Sequence, residues 1–217
     1  MIVGKSLFFN RIYVDREDPN DREVRALSKL GYEIIVLGGR PEALAFQTDV
    51  GLCSGPTMFT ARHCFGDPSD SVKGKEYVIV NTDVKGRVTK DYSPFVKNIV
   101  NLVLYLLGKP KGVYDLVRVS TPQYVLSNQI AVVTGGVVGQ NYGFLTLLPQ
   151  YEPEDVIDKD VEITVDVPEA DEIKGHIVDY AVVVMWYRHM AWPTEVLVAT
   201  VNKPLKPGNS GGPAALR

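Results

Sequence analysis

Between residues 45 and 201 the chain alternates short apolar, β-branched runs with Gly, Pro, Asp and Asn, a rhythm that predicts strands and turns. A first set of predicted strands comprises Val50–Ser54, Thr57–Ala61, Tyr77–Asn81, Arg87–Thr89, Ile99–Leu107 and Leu116–Val119. Thr121-Pro122 starts the crossing to a second set: Gln129–Thr134, Tyr142–Leu148, Val161–Val165, Ile177–Met185 and Glu195–Val201. Ile99–Leu107 is the longest apolar run, broken only by Asn101, and reads as a buried strand. Glu152–Asp160 is acidic, carries Pro153, and reads as a solvated loop.

Residues 1–44 have a different pattern. Ile2–Phe9, Ile12–Val14 and Tyr32–Leu37 suit strands. Asp18-Pro19 suits a helix start, with Asp21 and Glu23 in an acidic first turn. Val24, Leu27 and Leu30 then form a narrow apolar stripe, and Gly31 is a stop. The chain therefore divides into an α/β extension over 1–44, a first β-unit over 45–122 and a second over 123–217.

Composition changes this picture little. A chain of 217 residues can bury a sizeable core, and 11 Tyr, 19 Gly and 14 Pro fit a β-rich, turn-rich fold. A net charge of −3 with dispersed Lys and Arg offers no basic stripe for nucleic acid. No apolar run is long enough to span a bilayer, and Met1–Lys5 does not resemble a secretory leader. Two cysteines are too few for a disulfide framework or a metal site, and no cofactor motif is present.

The chemistry concentrates in Lys206-Pro207-Gly208-Asn209-Ser210-Gly211-Gly212-Pro213, a tight loop by its turn formers. Its glycines leave room around Ser210 and let successive N–H groups turn toward one point, where negative charge can be held. A serine hydroxyl needs a base to act as a nucleophile. His63 lies upstream in Phe59-Thr60-Ala61-Arg62-His63-Cys64, and Asp115 in Tyr114-Asp115-Leu116-Val117-Arg118-Val119. A lone histidine beside a strand is usually structural, and what singles out His63 with its neighbours Thr60, Ala61 and Cys64 is the resemblance given below. Asp83 and Asp91 are rival carboxylates, but Asp115 alone is followed directly by an apolar strand. Gly208–Gly212 also fits the G-x-S-x-G elbow of α/β-hydrolases, yet no Asp or His follows Ser210, so chain order excludes that reading.

The segments GNSGGP, TARHC and YDLVRV resemble the three motifs of chymotrypsin-like (trypsin-like) serine proteases, in that family's order. The form PGNSGGP is more similar to the bacterial and viral branches than to digestive enzymes. The resemblance implies an all-β fold of two Greek-key β-barrels, 45–122 and 123–217, with the second barrel lacking its last strands because only four residues follow GGP. It implies a serine endopeptidase working through an acyl-enzyme, with Ser210 as nucleophile, His63 as base and Asp115 as orienting carboxylate. Gly208 and Ser210 would supply the oxyanion hole, and Cys53 and Cys64 a disulfide, two free thiols being the alternative. Asn209 stands where digestive members anchor their new N-terminus through Asp, so that activation switch is not expected. The substrate would be a protein or polyprotein, with a viral processing protease in host cytoplasm as the nearest analogy. The alternative is a protease-fold module without activity, serving binding or structure.

Overall fold

A computed structural model describes residues 1–44, 56–79, 83–164 and 172–217. In chain order it runs β1 (Ile2–Ser6), β2 (Arg11–Val14), α1 (Arg22–Lys29), β3 (Glu33–Val36), β4 (Glu42–Ala43), β5 (Phe59–Thr60), β6 (Glu76–Val78), β7 (Lys85–Asp91), α2 (Phe95–Leu106), β8 (Val117–Val119), β9 (Gln129–Gly136), β10 (Tyr142–Leu147), β11 (Asp160–Ile163), β12 (Ile173–Tyr187), β13 (Met190–Val201) and β14 (Pro213–Leu216). Short 3₁₀ turns cover Arg62–Cys64 and Pro153–Asp155.

Ten of these strands share one mixed sheet, in the order β11-β14-β9-β10-β13-β12-β1-β2-β3 with β4 bridging β9 and β12. A further pairing of β11 with β12 turns six of them into a ring, from which β1, β2 and β3 continue as an arm. The axis of this arrangement is the hairpin of β12 and β13, fifteen and twelve residues long. It is paired from Gly175↔Val201 out to Tyr187↔Met190. β12 is long enough to serve two partners on its other edge: β11 at its start, with Val161 opposite Gly175, and β1 near its end, with Gly4 opposite Val183. Gly4 lacks a side chain where one is hard to fit, since a Cβ there would lie 3.1 Å from Val183.

A buried polar cluster fastens arm to ring. Asp179 of β12, fully buried, accepts from the Tyr13 hydroxyl at 2.6 Å and the Ser6 hydroxyl at 2.7 Å. Burial and the neighbouring carboxylate together push the Tyr13 phenol far above its ordinary pKa, so it remains a donor at every accessible pH. Apolar cores lie on either side of this hairpin. One, inside the ring, includes Ile130, Leu145, Val161, Ile177 and Leu197; the other, toward the arm, includes Tyr13, Phe144, Val183, Met185 and Trp192.

The expectation of two Greek-key barrels does not hold. The second group of strands belongs to a single mixed sheet that contains parallel pairs, β2 with β3 and β4 with β12, and runs on through the arm. Nor does it lack last strands: β14 pairs with β9 on one side and β11 on the other. Among the described residues the first group gives a four-stranded sheet, β5-β8-β7-β6, with no closing pair. One reason is that Ile99–Leu107 is not a strand. Phe95–Leu106 is helical, because Asn98, Asn101, Leu102 and Tyr105 recur at helical spacing and form its inward side. The expected strand Val50–Ser54 lies outside the described residues. In the arm, α1 begins later than Asp18-Pro19 suggests: Asp21 caps it by accepting from Val24 N at 3.1 Å. It ends at Gly31, whose φ of +96° suits glycine. Among the described residues no helix is long and apolar enough to cross a membrane.

Candidate functional site

His63 sits in the 3₁₀ turn after β5, Asp115 just ahead of β8, and Ser210 in the turn between β13 and β14. Three separate pairings bring them together. β5 lies against β8, with Thr60 opposite Val117, so the residues flanking these strands meet. The serine loop is laid on β9: Gly211 N donates to Val133 O and Val133 N to Gly212 O, both at 2.9 Å. Thr60 Oγ1 then donates to Gly211 O at 3.0 Å, which joins the two sheets at the site. Gly211 has φ of +80°, and a Cβ there would meet Thr60 Oγ1 at 2.6 Å, so this glycine is required by conformation and by space. Asn209 closes the turn through Oδ1, which accepts from Lys206 N at 2.8 Å.

The resulting line of atoms is short. Asp115 Oδ2 lies 2.6 Å from His63 Nδ1, and His63 Nε2 lies 2.6 Å from Ser210 Oγ. Asp115 Oδ1 also accepts the His63 backbone N–H at 2.8 Å, so one carboxylate fixes both the main chain and the ring. All three side chains are buried, with 1 %, 1 % and 0 % of the surface of His63, Asp115 and Ser210 exposed. Tyr187 packs edge-on to the imidazole at 6.1 Å.

One further contact decides what this geometry can do. His63 Nε2 is 2.9 Å from the carbonyl oxygen of Leu44, an acceptor only. A proton on Nε2 satisfies that oxygen, and with Nδ1 donating to Asp115 these contacts favour the imidazolium form. Burial disfavours that charge, but the Asp115 charge, its hydrogen bond and the Leu44 carbonyl outweigh burial and raise the His63 pKa above 6.5. In that form the one Nε2–H is shared between Leu44 O and Ser210 Oγ, and Oγ donates its own proton to Thr134 O at 3.2 Å. Leu44 is held there by β4, in which Glu42 opposes Gly136 and Ala43 opposes Gly135 of β9. In this conformation the Leu44 carbonyl lies against Nε2 beside the serine hydroxyl.

Of the other sequence candidates, Asp91 has a different role. It pairs with the buried Arg62 at 2.9 Å, and Arg62 also donates to Asp67 O at 2.8 Å and Asp70 O at 2.6 Å. That network braces the turn carrying His63 and was signalled only by the arginine next to the histidine. Asp83 is exposed. Gly208 has φ of +94° and turns the chain just before Ser210. The pairing of Cys53 with Cys64 involves residue 53, which lies outside the described residues. The Leu44 and Thr134 carbonyls could not be found by motif, because any residue type supplies a main-chain oxygen. Among the described residues no group of three or more His, Cys, Asp or Glu could hold a metal ion.

Comparison with family profiles, with curated proteins and with solved structures finds no match to this chain. Together with the sheet topology, this overturns the resemblance to chymotrypsin-like serine proteases. Among the described residues there is no pair of Greek-key barrels to form that family's cleft, and no relative supports a serine endopeptidase, a viral polyprotein-processing enzyme or an inactive protease-fold module. Short motifs of four to six residues reproduce a local loop and turn chemistry; they do not specify the frame around it.

Proposed function

We propose that Ser210, His63 and Asp115 form a hydroxyl-activation site, in which a base-assisted serine reacts with a small electrophile once Leu44 withdraws. The observation that carries this reading is the pair of 2.6 Å contacts along Asp115–His63–Ser210. A buried carboxylate on Nδ1 holds the imidazole with Nε2 toward the hydroxyl, the arrangement a general base requires. The N–H groups of Gly208 and Ser210 are the proposed donors to the oxygen that becomes negative. Complete burial limits the reactant to a compact group that reaches Oγ when the covering segment moves.

Burial also favours a second reading, in which the same line is a structural clasp joining the serine loop, β5–β8 and β4. One experiment separates them. The purified chain is treated with a small fluorophosphonate at pH 7 and 9, beside Ser210→Ala and His63→Ala. Covalent labelling of the wild type that is stronger at pH 9 and absent from both variants supports the reactive serine. An unlabelled wild type, with Ser210→Ala less stable by about 1–3 kcal/mol, supports the clasp.

A further inference from the structure

Helix α2 presents an unusual outer surface. Its inward side is partly polar: Asn98 Nδ2 donates to Pro68 O and Ser93 O, each at 2.8 Å, and Asn101 Nδ2 to Gly112 O at 3.2 Å. Leu102 packs against the core on the arm side. Its outward side is apolar, with Val96, Ile99, Val100, Val103, Leu106 and Leu107 all exposed, three of them by 72 % or more. With Phe95, also exposed, they fall within an arc of about 140° at 3.6 residues per turn. A helix that places amides inward and branched aliphatics outward is the reverse of a soluble surface helix. A contiguous exposed apolar face of this kind marks an interaction surface.

Charge identifies the partner. From Tyr92 to Tyr114 there is no Asp or Glu, but Lys97, Lys109 and Lys111 are present, in a chain of net charge −3. Lys97 borders the apolar arc, and the other two follow the helix end. The carboxylate whose field reaches Lys97 and Lys111 is Glu195, on the strand β13 against which α2 packs. An apolar stripe flanked by lysines matches the acyl boundary and the anionic headgroups of a bilayer surface. The helix has 12 residues, roughly 18 Å, against a hydrocarbon core of about 30 Å, so it would lie along the surface and not across it.

We propose that α2 is a membrane-surface anchor that seats this protein on anionic lipid, with Lys97, Lys109 and Lys111 in the headgroup layer. The site lies outside the Ser210–His63–Asp115 line, so either proposal stands if the other fails. The test is co-sedimentation of the full chain with vesicles of phosphatidylcholine alone and of phosphatidylcholine with about 30 % phosphatidylserine. The wild type should pellet with the anionic vesicles, more weakly with the neutral ones, and lose the difference in high salt. The double variant V100E/L106E changes only exposed positions, so its urea midpoint should match the wild type while it stays in the supernatant. Reversing the three lysines (K97E/K109E/K111E) should lower partitioning onto anionic vesicles on the order of a hundredfold, at about fivefold per basic residue. A wild type that ignores both vesicle types overturns the proposal, as does V100E/L106E binding equally well. Concentration-dependent dimerisation without lipid, abolished in V100E/L106E and accompanied by no vesicle binding, would assign the face to a second copy instead.

Discussion

Replacing Asp115 with Asn tests the charge state of the buried histidine. The side chain keeps its shape, and one oxygen can still accept the His63 main-chain N–H, now 2.8 Å from Oδ1. What is removed is the negative charge 2.6 Å from Nδ1. In the wild type the His63 pKa is raised above its unfolded value. Its contribution to stability is therefore fully present below pH 6.5 and is lost as pH rises through the folded pKa. In the variant, burial is no longer opposed by a carboxylate and pushes the pKa down, so the folded state is penalised as the solution is acidified. The two effects add. Near pH 5.5, breaking the buried pair should cost about 3–5 kcal/mol. Above the folded pKa the imidazole is neutral and only weakened hydrogen bonds remain, about 1–2 kcal/mol. The gap should therefore narrow by roughly 2–3 kcal/mol as pH rises through the His63 pKa. Urea denaturation followed by the fluorescence of Trp186 and Trp192, at several pH values between about 5.5 and 9, measures it. A gap that stays constant across that range would refute the imidazolium assignment.

Arg62→Met should destabilise by about 3–5 kcal/mol, since it strands the nearly buried Asp91, and adding Asp91→Asn should recover part of the loss; urea midpoints of the single and double variants check this. Gly135→Ala would place a Cβ 2.1 Å from Glu42 O and 2.4 Å from Met185 Cε, so the two-residue strand β4 must yield. Its loss should lower stability and, by moving Leu44 off Nε2, speed labelling of Ser210; a rate equal to the wild type would separate the Leu44 contact from access to the serine.

Much of the local structure was readable because the side chains themselves carry it. Gln129–Thr134 and Tyr142–Leu148 coincide with β9 and β10, and Gly31 marks the end of α1. His63, Asp115 and Ser210 were singled out by residue type and order, and the pairings of β5 with β8 and of the serine loop with β9 place them in one line. The frame was not readable for four physical reasons. Apolar character in Ile99–Leu107 predicts a buried strand, whereas Ile99, Val100, Val103, Leu106 and Leu107 face outward on a helix. The β12–β13 hairpin turns on Arg188 and His189, with Arg188 at φ of +60°, a position usually filled by Gly, Asn or Asp. β13 begins before the expected Glu195 and takes in Pro193, opposite Val184, whose carbonyl accepts from Val113 N at 2.7 Å although proline brings no N–H to the ladder. Finally, motif order says which residues meet but not how many strands separate them, and closure by β11–β12 depends on that.

The clasp of Ser6 and Tyr13 on Asp179 imposes a timetable on the chain. Ser6 and Asp179 are 173 positions apart, so the strand β1 finds its neighbour only after most of the sequence has been made. At about 5–20 residues per second, that interval is roughly ten to thirty-five seconds. During it β1 and β2 can form their own hairpin, but its buried-to-be tyrosine and valines stay in water. Pairings of such long span also slow the search for the native topology. The nascent chain is thus most open to wrong strand partners during synthesis, and an apparatus that shields early strands should raise its yield more than it raises the stability of the finished fold.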